Sequence, residues 1–174
     1  MNVWLKSFIF LLIFSILHFG YEITGWNFLT PFCGVNESVF QHLKMAFWAY
    51  LLLTILIEYP FIRKKSDQIR LANFWYSRIL SAIELPWIVT IVWYLLPAIY
   101  GKAKSLLVDL VWALAVTYFS PLFMGYIEKD IEKVEFSLKT KYIVLLLLFV
   151  SAFLFVWFTF KLPWIDLFTN PENL

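Results

Sequence analysis

The chain reads as an all-α polytopic membrane protein, a bundle of five transmembrane helices, and three observations carry that reading. First, its 174 residues are 62% hydrophobic and 15% charged, with a mean hydropathy of +0.78. A soluble domain carries about 45–50% apolar and about 25% charged residues, so the excess is what a lipid-facing surface requires. Second, five runs each supply the ~20 mainly apolar residues that cross a bilayer at 1.5 Å per residue. Third, lysine and arginine sort unevenly between alternate connections. Together these predict one multi-pass domain over 1–174 in a cell membrane, with the lipid bilayer as its first partner.

The predicted spans are 3–26, 36–62, 71–100, 106–127 and 139–160. The first begins like a signal peptide, with Lys6 ahead of an apolar run, but it continues through His18, Tyr21 and Glu22 with no small-residue cleavage site. It therefore reads as a retained helix. The second opens on Asn36, a good N-cap, with Glu37 as a first-turn acid. The third is long; Pro86 predicts a tilt or kink near its middle and Pro97 its end. In the fourth, Asp109, Ala113, Val116 and Ser120 share one face, and the two small residues permit close packing. The linker 128–135 alternates acid and base, which predicts a solvated helix extension. The fifth, YIVLLLLFVSAFLFVWF, should present lipid on most of its circumference. In the tail, KLPWIDLFTNPENL, Trp164 and Phe168 are suited to the headgroup layer.

Orientation follows from the loops. With the N-terminus cytoplasmic, the inner side carries Lys6, Arg63, Lys64, Lys65, Arg70, Lys129, Lys133, Lys139 and Lys141, against Lys102, Lys104 and Lys161 outside. Nine against three predicts a cytoplasmic N-terminus and an outer C-terminus. A net charge of +2 with no basic arm gives no footprint for nucleic acid. One cysteine, Cys33, excludes an internal disulfide and a multi-cysteine metal site, and reads as a small loop residue. No G-x-S-x-G, phosphate-loop or C-x-x-C motif occurs.

Against this background the ionisable groups at bilayer depth stand out, because each is costly there and marks either a site or a structural lock. His18 and Glu22 are four residues apart and share a helix face, and could equally form an internal pair. Counting rise per residue, His18 and His42 lie ~9–10 Å below the outer end of the first hairpin, with Glu22 and Glu37 nearer its mouth. Imidazole plus carboxylate suits a divalent metal such as zinc. We therefore expect His18, Glu22 and His42 as ligands, Glu22 or Glu37 as base, and Lys44 to stabilise developing charge. There is one obstacle: at ~100° per residue, Glu37 and His42 on one helix point ~140° apart. A single site then needs Glu37 to reach back from a frayed first turn, or a third helix between them.

Asn36, Gln41, Glu84 and Asp109 complete the expected pocket as substrate-binding groups. Glu84 ends a polar stripe with Asn73, Ser77 and Ser81, and Asp109 doubles as a helix-start acid. Lys44 could instead neutralise Glu37, Glu84 or Asp109, and Glu58 reads as a snorkelling or paired interfacial acid.

The strings HFGYEITG and PFCGVNESVFQHLKMAFWA resemble an uncharacterised family of small prokaryotic integral membrane proteins, known only as a domain of unknown function. The resemblance rests on residues 17–48, the helix count and the tail LFTNP. It implies that His18, Glu22, Asn36, Glu37, His42 and Lys44 belong to a family pattern, and it brings no activity or cofactor. Three functions fit the sequence. One is a metal-dependent membrane enzyme or binding protein for a lipid-like or small amphipathic substrate. Another is a proton-coupled transporter with Glu84 as mid-membrane carrier, which would need a homodimer. The third is a non-catalytic subunit whose polar groups lock helices.

Overall fold

The computed structural model describes residues 1–63, 68–101 and 105–169. Among them five helices are long and apolar enough to cross a membrane, and there is no strand. They are α1 (Val3–Thr24), α2 (Val39–Ile62), α3 (Gln68–Tyr100), α4 (Leu106–Ile131) and α5 (Leu138–Phe160).

Local chemistry sets the ends. Asn2 caps α1 by accepting from the Trp4 N–H at 2.9 Å. The helix stops at Thr24 because Gly25 turns to φ 65°, a conformation glycine adopts cheaply, and donates back to the Tyr21 carbonyl. α2 begins at Val39 instead of 36. The Asn36 side chain accepts from the Ser38 N–H at 3.0 Å, an Asx turn that keeps residues 36–38 out of the helix. Near its far end α2 widens into a π turn over Thr54–Glu58, just before Pro60, whose ring would crowd a regular turn.

α3 runs unbroken through Pro86 and past Pro97, which sequence reasoning took as its end. It terminates at Gly101, φ 75°, which donates to the Pro97 carbonyl at 2.9 Å. Proline has no N–H, so the Trp93 carbonyl four residues earlier lacks its helical donor. The Trp112 indole N–H of α4 supplies one at 3.1 Å. That bond ties α3 to α4 and lets the helix tolerate the proline.

The first four helices form a ring: α1 packs on α2 and α4, and α3 packs on α2 and α4. Phe10, Phe14, Leu17, Met45, Phe47, Tyr50, Leu53, Leu85 and Met124 fill it. Gly125 of α4 lets Val3 of α1 approach so closely that an added Cβ would lie 2.6 Å from the valine Cγ1. α5 lies outside the ring, against α3, with Phe155 on Phe40 and Phe47, and only its Val144 is buried. Phe168 does not rest in a headgroup layer; it packs on Phe40 at 4.5 Å, whereas Trp164 is fully exposed.

A buried charge node closes the end of the ring where α1 begins. Lys6 Nζ lies 2.9 Å from Glu58 and 2.5 Å from Glu128. The Arg78 guanidinium sits 3.4 Å from both carboxylates and bonds Glu132 as well. The Tyr50 hydroxyl donates to Glu128 at 2.7 Å. All four ring helices contribute. This corrects the reading of 128–135 as a solvated extension: α4 continues to Ile131, so Glu128 turns inward and is 2% exposed. Glu132 is half-buried, whereas Lys129, Asp130, Lys133, Val134 and Glu135 lie in the open as expected, with Asp130 and Lys133 paired at 2.7 Å.

Removing one member of a buried ion cluster strands the rest. Lys6→Met should cost about 3 kcal/mol or more of stability, read as a lowered unfolding temperature in detergent. An unchanged midpoint would show that the node does not hold the ring together.

Candidate metal centre

At the opposite end of α1 and α2, the hairpin end, His18, Glu37 and His42 converge. One ligand atom from each lies within 4.8 Å of the other two. Glu37 Oε2 is 3.7 Å from His18 Nε2 and 3.6 Å from His42 Nε2. Both separations exceed the 2.7–3.2 Å of a good N–H···O bond. The three atoms therefore surround a gap instead of bonding one another. Around a tetrahedral zinc with bonds of ~2.0–2.1 Å, ligand atoms stand ~3.3 Å apart; the two glutamate–imidazole separations of 3.6 and 3.7 Å are close to that, while the set as a whole spans 4.8 Å.

The late start of α2 makes this possible. Had Glu37 been helical, it would have pointed ~140° away from His42. Held in the Asx turn before the helix, it is free of that constraint and reaches across to both imidazoles. The same turn orients His42. Its Nδ1 lies 2.9 Å from the Ser38 carbonyl oxygen, which can only accept, so the proton sits on Nδ1 and the Nε2 lone pair faces the gap. Anchoring the far ring nitrogen of a histidine on a carbonyl is the usual support of a metal ligand.

Aromatic rings fix the imidazoles from behind. His18 stacks on Phe19 at 4.8 Å and meets Phe14 edge-on, while His42 stacks on Phe14 at 6.3 Å. The two imidazoles are perpendicular, with centroids 5.3 Å apart. The site is half open: the side chains of His18, His42 and Glu37 are 25%, 30% and 56% exposed.

The other expected residues are distributed differently. Glu22 is exposed one turn beyond His18, outside the trio and without a polar partner among the described residues. Asn36 shapes the turn. Lys44, two residues and so ~200° beyond His42, faces away. Its ammonium donates to the Thr30 carbonyl at 2.6 Å and to Thr159 Oγ1 at 3.2 Å, tying α2 to the hairpin loop and α5. Gln41 shares that buried face. Glu84 is half-buried on α3 and Asp109 is exposed in the first turn of α4; neither belongs to the trio.

Sequence reasoning missed the charge node at the other end, and Arg78 entirely. A signal existed. Lys6, Glu58 and Glu128 each lie three or four residues inside helix ends that meet on one side of the bundle.

Cys33 packs beside Gly20, 3.1 Å from where a Cβ would sit, while Gly34 donates to the Leu17 carbonyl at 3.1 Å. The hairpin loop is thereby pinned along one flank of α1. Burial pushes the Cys33 thiol above its usual range, an effect the Lys44 ammonium partly offsets. Less thiolate is then present at neutral pH, and access is closed. In the folded protein Cys33 should resist maleimide at pH 7 and react at once after denaturation; equal rates would mean the loop is not seated.

A family model described as a family of unknown function, DUF6512, matches residues 2–173. No curated protein and no solved structure matches the chain. Five spanning helices and a match over nearly the whole length agree: the chain is an integral, multi-pass membrane protein that belongs to the family of unknown function DUF6512.

Proposed function

We propose that this protein is a membrane-embedded, metal-dependent enzyme whose centre is His18, His42 and Glu37, acting on a lipid-like or small amphipathic substrate. One observation carries the reading. A single carboxylate oxygen sits at nearly equal, non-bonding distances from two imidazole nitrogens, one of which is held in the ligating tautomer.

Two histidines and one glutamate form a ligand set that zinc uses in catalytic sites, with one position left for water or substrate. Such a metal lowers the pKa of water toward neutrality and polarises a carbonyl or phosphoryl oxygen. In this reading Glu22, one turn from His18 on the same face and unpaired among the described residues, takes the proton. Lys44 holds the loop and α5 and is assigned no chemical role, since its donors are directed to Thr30 and Thr159. With the lysine and arginine bias of the loops, the centre lies on the outer side of the cell membrane.

Purified protein incubated with zinc and dialysed free of excess metal should retain about one ion per chain by mass spectrometry, as three convergent protein ligands imply. His18→Ala and His42→Ala should each weaken retention at least tenfold, with helical content unchanged by circular dichroism. Wild-type protein that keeps no zinc, or variants that keep as much as wild type, would falsify the metal centre.

A further inference from the structure

We infer that Asn36 is a positioning residue of the metal centre: it is not one of the three ligands, and through a single hydrogen bond it sets two of them, Glu37 and His42. This rests on the metal-enzyme reading above and adds to it the side chain on which the ligand geometry depends.

The bond runs from the Ser38 N–H to the Asn36 Oδ1, at 3.0 Å. The loop it closes contains the backbone of Glu37, so the same bond that keeps Glu37 out of α2 also fixes where its side chain leaves the chain. The other side of Ser38 serves the second ligand. Its carbonyl oxygen faces the His42 Nδ1 at 2.9 Å and also accepts from the Gln41 and His42 N–H groups at 3.0 and 3.4 Å. Asn36 thus holds the N–H of Ser38, and the C=O of Ser38 holds the ring of His42. Two hydrogen bonds in series connect the asparagine to an imidazole four residues beyond its own turn. The sequence placed Asn36 among substrate-binding groups; its oxygen is committed to the backbone instead.

No other side chain among the described residues does this work. Ser38 stands at the N-cap of α2 with extended backbone, φ −66° and ψ 149°, and serine there ordinarily caps with its own hydroxyl. Here the hydroxyl makes no capping bond, and its Oγ is buried without a partner. Remove the Asn36 amide and residues 36–38 are free to fray or to wind onto α2. In the second case Glu37 swings ~140° from His42.

The third ligand is placed from the other end of the same loop. Gly34 donates to the Leu17 carbonyl at 3.1 Å, one residue before His18. A Cβ on Gly34 would lie 3.0 Å from the Met45 sulfur and 3.5 Å from the His18 carbonyl oxygen, so the loop rests directly on the backbone of that histidine. Asn36 therefore aims Glu37 and His42 at a point already fixed relative to His18.

The test compares full-length wild-type protein, Asn36→Ala and Asn36→Asp in detergent. The aspartate carboxylate can accept from the same N–H, whereas alanine cannot. Zinc affinity, read by competition with a chromophoric chelator, should fall at least about tenfold in Asn36→Ala, as loss of a supporting partner does in other metal sites. Asn36→Asp should stay within about threefold of wild type, and all three should keep the same helical content by circular dichroism. A second readout needs no metal. In protein with ¹⁵N-labelled histidine at pH 8, where imidazole is ordinarily neutral, His42 should carry its proton on Nδ1 in wild type and Asn36→Asp. In Asn36→Ala it should shift toward the Nε2–H form. Wild-type zinc affinity in Asn36→Ala, an unchanged His42 tautomer there, or no rescue by aspartate overturns the positioning role and leaves the metal centre standing. Wild-type protein that binds no zinc defeats both.

Discussion

A cation buried among carboxylates in a low-dielectric medium cannot leave its partners cheaply, and the ring of helices is organised around one such meeting. Lys6 enters from α1, Glu58 and Tyr50 from α2, Arg78 from α3, Glu128 from α4 and Glu132 from the cap just past its end. In lipid there is no hydrophobic drive for one apolar helix to prefer another, so close packing and polar contacts must set which helices meet. The node does this for four helices at one level. The Val3–Gly125 contact and the Trp112–Trp93 bond then fix how closely α1 approaches α4 and how α3 lies against α4.

The two ends of the α1–α2 pair use the same kinds of side chain to opposite effect. At the node, cations and carboxylates touch, are almost fully covered, and satisfy one another. At the hairpin end, imidazoles and a carboxylate face each other across a gap and stay partly exposed. Satisfied, covered charge rigidifies, whereas convergent groups left apart are the arrangement that the proposed metal centre requires. Between them α1 presents Phe10, Phe14 and Leu17 to the core, so the two polar clusters are separated by packed apolar side chains.

Much of the hairpin end was legible before the fold was known. His18 and His42 at matching depths follow from rise per residue and the positions of the span ends. What misled was treating Glu37 as helical, which set it against His42 on the helical wheel. A three-residue Asx turn, invisible to periodicity, removes the conflict and brings Glu37 into the set that Glu22 was expected to complete. Glu128 failed for a related reason: an alternating charge pattern predicts exposure on average, and one more turn of α4 was enough to point this carboxylate inward.

The sequence by itself determined that this chain spans a membrane five times, because apolar run lengths of about 20 residues leave a backbone in lipid little choice but helix. It also marked the ionisable residues that deserved explanation, since their cost at bilayer depth is independent of the fold. Tertiary structure alone decided which of them meet. Partnership depends on helix rotation and on where each helix begins to the nearest residue, and a shift of one residue turns a side chain by ~100°. Thus Lys44 went to Thr30 and Thr159, Lys6 found Glu58 and Glu128, and Glu37 joined the two histidines.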